Sequence, residues 1–265
     1  MSVPTASAPV AVPARAASTA SVSAAVLRAE LRLFLREPFS LFWIVAFPTV
    51  LLAILGLIPS FREPQSSLGG DRVIDLYVPV NVLLAMIMAG VQALPPVLSG
   101  YRERGILRRM STTPVRPGSL LAAQIVLHFA AALGSALLVV AVGRVAFGVA
   151  LPGQVPGYLL ALLLGALSAL ALGAAISAIT PTTRATTVVG SVVFFPMMFF
   201  AGVWIPVQSM PGPLRHVVEY FPFGAASQAL NQAAGGAWPG WAHLGVTAAW
   251  ATVLIAAAVR WFRWE

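Results

Sequence analysis

The residues best suited to recognition are concentrated in one short run, Tyr101–Pro117 (YRERGILRRMSTTPVRP). It holds five of the chain's 16 arginines between two long apolar stretches. Read as a helix, the run is two-faced. Arg102, Arg104, Arg108 and Arg109 fall on one side, and Glu103, Ile106, Leu107 and Met110 on the other, at three- and four-residue spacing. A charged run between two membrane spans must lie in water or among headgroups, where arginines fix topology. A loop serving topology alone has no use for an apolar face carrying one carboxylate. The pattern points to a surface presented to a protein partner, with Glu103 available for a charge pair and Ile106, Leu107 and Met110 for apolar contact.

Other polar side chains are few. Asn81, Ala85, Met88 and Gln92 share a face of one apolar stretch, and Gln124, His128, Ala131 and Ser135 share a face of the next. Such stripes either line a substrate path or make hydrogen bonds between helices. No acid lies in the predicted spans to partner His128 in a proton relay. Asp75, Glu103 and Glu219 fall outside the apolar runs, which argues against an ion-coupled transporter. The three histidines are far apart and no HExxH occurs, which argues against a membrane-embedded protease or lipid-modifying enzyme. Every basic residue is Arg, which excludes a P-loop and its lysine. Without cysteine there is no disulfide, thiolate nucleophile or Cys-ligated metal. These features leave no cofactor, metal or catalytic site to assign.

The elements that carry these residues follow from composition. Of 265 residues, 59% are hydrophobic and 9% charged, a balance outside the soluble range. Several runs exceed the length needed to cross a hydrocarbon core of about 30 Å. The sequence predicts an all-α polytopic membrane protein with six spans, at about 40–58, 76–98, 118–142, 157–179, 185–203 and 241–259. Pro48 predicts a kink in the first, and Pro95 and Pro96 a disturbed end to the second. Arg144 opens a loop. Gly165, Ala169, Gly173 and Ser177, four apart, form a groove for close helix packing. Between spans five and six, residues 205–240 are too broken to cross and predict two interfacial or re-entrant helices, Pro213–Tyr220 and Gly224–Gln232.

Residues 1–25, rich in Ala, Ser, Val, Pro and Thr, read as a disordered tail without signal-peptide character. Residues 26–38 predict an amphipathic helix ended by Pro38. Leu27, Leu31, Phe34 and Leu35 form one stripe, and Arg28, Arg32 and Arg36 the next, a pattern that lays a helix in the membrane interface. The net charge of +8 then matches an anionic lipid surface rather than nucleic acid. With the amino terminus inside, twelve arginines face inward and four outward, so both termini and the Tyr101 run are cytoplasmic.

Three features together resemble a known family. They are the amphipathic helix, the run Glu103–Val115 (ERGILRRMSTTPV), and the run Phe199–Asn231 with its FFAGVWIP, YFPF and ALN pieces. This is similar to the type-2 ATP-binding-cassette (ABC) exporter permease, over about residues 26–262, a bacterial inner-membrane subunit of drug, polyketide-antibiotic, polysaccharide or lipid exporters. The resemblance implies that Glu103–Pro114 is a coupling helix docking into a separate ATPase, with Glu103, Arg104, Gly105, Ile106, Leu107, Met110 and Pro114 at the contact. It implies that the amphipathic helix also touches that ATPase, which binds ATP and Mg. It further implies that two permeases pair, with a transport path between them to which Asn81, Gln92, Gln124, His128, Phe195 and Met198 are the candidate contributors.

Overall fold

The computed structural model describes residues 19–110 and 117–261. Its helices are, in chain order, α1 (Thr19–Phe34), α2 (Pro38–Gly56), α3 (Val73–Glu103), α4 (Ile106–Met110), α5 (Pro117–Phe147), α6 (Val155–Ile179), α7 (Thr183–Ala201), α8 (Gly212–Glu219), α9 (Pro222–Ala234) and α10 (Trp241–Trp261). Among the described residues, α2, α3, α5, α6, α7 and α10 are long and apolar enough to cross a membrane. The protein is an all-α, multi-pass membrane protein.

The bundle is built around α3. Of its most apolar 18-residue window 83% is buried, against 56% for α6 and no more than 33% for any of the other four. Those four keep apolar outer faces, with Leu137 and Val145 on α5 and Val188, Val192 and Phe195 on α7 exposed. Such faces suit lipid rather than water. Close packing of α6 on α3 depends on small residues. A Cβ on Gly173 would collide with the Gly90 carbonyl, and one on Gly90 with the Ala169 backbone; one on Gly165 would press on Leu83. Without side chains at these points the two backbones come into contact.

Each proline site carries a local departure from α-helix, a π turn, and the span continues through it. Neither Pro48 nor the Pro95–Pro96 pair interrupts its span, because each is preceded by a widened π turn. The Phe47 N–H reaches back five residues to Phe42 O, and the Leu94 N–H five residues to Ala89 O. A proline ring clashes with the carbonyl four residues back; an extra residue per turn moves that carbonyl aside. The Val91 carbonyl, which cannot bond to Pro95, lies against Gly190 of α7, where even a Cβ would stand 3.1 Å away. So α3 runs on to Glu103.

Other boundaries also differ. α1 begins at Thr19, inside the expected tail, and ends at Phe34; Pro38 instead opens α2, where its fixed φ and missing N–H cost nothing. Arg144 sits in the last turn of α5 rather than in a loop, a favourable place for a cation. The two helices expected between spans five and six are α8 and α9. α9 tucks into the bundle against α6 and α10, with Phe223, Ala226 and Leu230 fully buried. Gln228 Nε2 donates to Glu219 Oε1 (2.6 Å), and Gln208 Nε2 donates to Gln228 Oε1 (3.0 Å), which ties this broken stretch together.

Candidate functional site at the arginine-rich end

The Tyr101 run is not one two-faced helix. α3 carries it as far as Glu103, the chain turns at Gly105, and α4 takes Ile106–Met110. Gly105 has φ of 64° with open space where a Cβ would be, so backbone conformation rather than crowding selects glycine. Pro114 lies outside the described residues.

Breaking the helix sends neighbouring side chains to opposite partners. Tyr101 turns toward α1 and α5. Its hydroxyl donates to Glu30 Oε2 at 2.5 Å; Gln124 Nε2 donates to the same oxygen at 2.6 Å and to the Tyr101 hydroxyl at 2.9 Å. All three residues are buried. His128, one turn further along α5, donates from Nδ1 to Gln124 O at 2.9 Å and meets the Phe34 ring edge-on at 5.2 Å. A buried carboxylate is costly unless it is hydrogen-bonded, and here two donors converge on one of its oxygens.

Arg102 and Glu103 turn toward the α6–α7 connection. Arg102 donates through Nη1 to Ser177 O (3.1 Å) and through Nη2 to Thr180 O, carbonyls at the end of α6 left without partners in the helix. Glu103 Oε2 accepts from the Thr183 N–H (2.9 Å) and hydroxyl (2.5 Å) at the start of α7. A cation therefore holds a helix C-terminus and the next residue, an anion, holds a helix N-terminus, each matching the local dipole. Beneath them the Thr186 hydroxyl meets those of Ser99 (2.7 Å) and Thr180 (2.6 Å). The expected placement of Arg102 with the headgroup-facing arginines is thus corrected, because the open carbonyls of α6 draw it inward.

The other candidates are dispersed. Leu107 is 2% exposed and packs with Tyr101 and Leu120, with Ile106 and Met110 beside it, so the segment's apolar face is turned to this chain's own body. Arg104 donates to Gly100 O (3.0 Å) and lies 5.8 Å from the Tyr101 ring; it is exposed together with Arg108 and Arg109. On α1 the inward face carries Glu30 and Phe34, both buried, with Leu27 half-buried, while Arg28, Leu31 and Arg32, and Arg36 just beyond the helix, are exposed. The two polar stripes do not form one lining. Asn81 is buried and donates to Tyr77 O (2.8 Å), Gln92 is half-buried, and Gln124 and His128 belong to the Glu30 cluster. On α7, Met198 is buried in the main core and Phe195 is exposed.

Sequence reasoning missed Glu30, Thr180, Thr183 and Thr186. Glu30 had a signal: it lies three residues after Leu27 and four before Phe34, on the face that turns inward.

The sequence matches the ABC-2 type transporter family over residues 23–233, from within α1 to the last turn of α9. No curated protein matches the chain.

Proposed function

We propose, on the premise that the chain belongs to the ABC-2 type transporter family and is a membrane permease of that type, that it serves an ATP-driven exporter whose ATPase is a separate chain. The cargo is an amphipathic drug, antibiotic, lipid or lipid-linked glycan. Two permease copies pair in a bacterial inner membrane with both termini and the arginine-rich end in the cytoplasm. The ATPase binds ATP and Mg and performs the hydrolysis; this chain contributes no catalytic group and converts the partner's movement into a change of path.

One observation carries this reading. Three consecutive residues, Tyr101, Arg102 and Glu103, hydrogen-bond to α1 with α5, to the end of α6, and to the start of α7. A push on α4 is therefore passed to four helices at once, as a motor-driven lever requires. The docking face is the exposed side of the turn, Arg104, Arg108 and Arg109, which suits an acidic rim on the ATPase. Leu107 serves as the lever's internal anchor.

The test is to co-express the chain with the ATPase of the neighbouring reading frame and reverse the charge at Arg108→Glu and Arg109→Glu together. Recovery of the complex and permease-stimulated hydrolysis should fall at least tenfold, with the permease alone eluting normally. Undiminished stimulation, or uptake of substrate into vesicles holding this chain alone, would overturn the proposal.

A further inference from the structure

At the end of the bundle opposite the Tyr101 run lies a cleft of about 280 Å³. It is formed by the start of α3, the loop after α5, the start of α6 and the end of α9. The loop is fastened to α9 by the Gly153 N–H on Ala234 O and the Gln154 N–H on Ala233 O. Its walls include Leu76, Val78, Val140 and Val149.

The polar side chains decide what the cleft can hold. Arg72 is committed elsewhere. Its Nε and Nη2 bond both oxygens of Asp75 (2.9 and 2.6 Å), and its Nη1 and Nη2 bond Phe147 O (3.1 Å) and Gly148 O (3.4 Å). The bond to Asp75 raises the guanidinium above its ordinary pKa, so it stays charged and paired. It has little left to offer an anion. Asp71, at the mouth, is exposed and has no ion pair among the described residues. Tyr158 lines the cleft, is 5% exposed, and its hydroxyl has no hydrogen-bond partner among the described residues. Asn231 uses its amide nitrogen on Ser227 O (2.9 Å), which leaves its side-chain oxygen for another donor.

The uncommitted groups are thus a carboxylate, an amide oxygen and a buried phenol oxygen beside apolar walls. All three accept hydrogen bonds, and the surplus charge is negative. We propose that this cleft is a binding site for a protonated primary amine on a short apolar stem. An ammonium donates three hydrogen bonds and accepts none, which matches the acceptors present. The volume lies just below the drug-sized range of about 300 Å³ upward, so the occupant is compact. Two sources share this chemistry: the amine headgroup of a lipid such as phosphatidylethanolamine, and a free amphiphilic amine. The site does not depend on the ATPase reading above.

The experiment uses the full chain in nanodiscs of phosphatidylglycerol, titrated calorimetrically with hexylamine and, as uncharged counterpart, hexanol. Hexylamine should bind saturably and hexanol should not. Asp71→Asn, at an exposed position that leaves folding intact, should weaken the amine at least about tenfold, the loss of one charge-assisted bond. Tyr158→Phe should weaken it by about threefold to tenfold with an unchanged melting temperature. Native mass spectrometry after purification from cells separates the sources. Retained phosphatidylethanolamine that hexylamine displaces identifies a lipid, and amine binding without retained lipid identifies a free amine. Equal binding of hexanol and hexylamine, or an Asp71→Asn variant that binds the amine like the parent, would overturn the assignment.

Discussion

Replacing Glu30 with leucine tests whether the amino-terminal helix is tied to the bundle through one buried carboxylate. Glu30 Oε2 accepts from the Tyr101 hydroxyl at 2.5 Å and from Gln124 Nε2 at 2.6 Å, with all three residues buried. A stranded buried donor costs about 1–3 kcal/mol. In Glu30→Leu, Gln124 still donates to the Tyr101 hydroxyl at 2.9 Å. The Tyr101 hydroxyl therefore loses its acceptor outright, while Gln124 loses only the shorter of two bonds. The expected destabilisation is about 2–3 kcal/mol, at the upper end for one stranded group. For a chain of this size that is a melting temperature lower by roughly 4–12 °C. Tyr101→Phe leaves Glu30 one donor poorer and should cost about 1–2 kcal/mol. The double variant distinguishes a specific bond from general disturbance. Because both changes remove the same contact, their effects should fall short of additive by about 1–2 kcal/mol, within the range for interacting pairs. Glu30→Gln, which keeps shape and one acceptor oxygen but loses the charge, should fall between parent and Leu. Thermal and denaturant unfolding in one detergent gives all four values. Additivity within about 0.5 kcal/mol, or a Leu variant as stable as the parent, would refute the claim that this carboxylate joins α1 to α3 and α5.

Glu103→Gln should speed hydrogen exchange at the Thr183 amide, whose N–H the carboxylate accepts, while amides of α3 keep their protection; a Thr183 amide as slow as in the parent would count against the grip on α7. Gly173→Leu should abolish recovery of monodisperse protein, since even a Cβ there collides with the Gly90 carbonyl, and a normal elution profile from size exclusion would contradict the packing. Gly105→Ala should cost about 1–2 kcal/mol, the penalty of a left-handed backbone with a Cβ, because no neighbour crowds the site; an unfolding curve identical to the parent's would mean that α3 and α4 do not meet through that turn.

The spans were legible because each carries an unbroken apolar run, and hydropathy reports length whatever the packing. Their ends agree with the sequence reading to within a few residues, except at the end of α3, which runs on to Glu103, and at the end of α5, which continues through Arg144. Both exceptions have local causes that hydropathy does not carry. A π turn is a choice of hydrogen-bond register, and a cation in a last turn is as acceptable as one in a loop. The Gly165–Ser177 stripe was legible as a packing face, since four-residue spacing of small side chains has few other uses. At the arginine-rich end, the charges were visible and their directions were not. Arg102 and Arg104 look alike in sequence; only the carbonyls at the end of α6, some 75 residues away, draw one inward and leave the other out. Glu30 was concealed by the arginines around it, which make its helix read as uniformly interfacial.

The two grips of the Tyr101–Glu103 turn differ in kind, and the difference bears on how the turn would act as a lever. The link to α1 and α5 is a buried cluster whose breakage strands polar groups away from water, so it should persist through any movement. The link to α7 uses Glu103, which is exposed, and solvent can replace its bonds to Thr183 as they open. A bond that water can replace is cheap to break and remake; a buried one is not. The α1–α3–α5 side is therefore suited to move as one body, and the start of α7 is the place where that body can part from its neighbour. Because Arg102 fixes the end of α6 and Glu103 the start of α7 across a short connection, a displacement of the turn changes the angle between those two helices. The α7 side of that pair carries the exposed residues Val188, Val192 and Phe195, an apolar face that suits lipid rather than water.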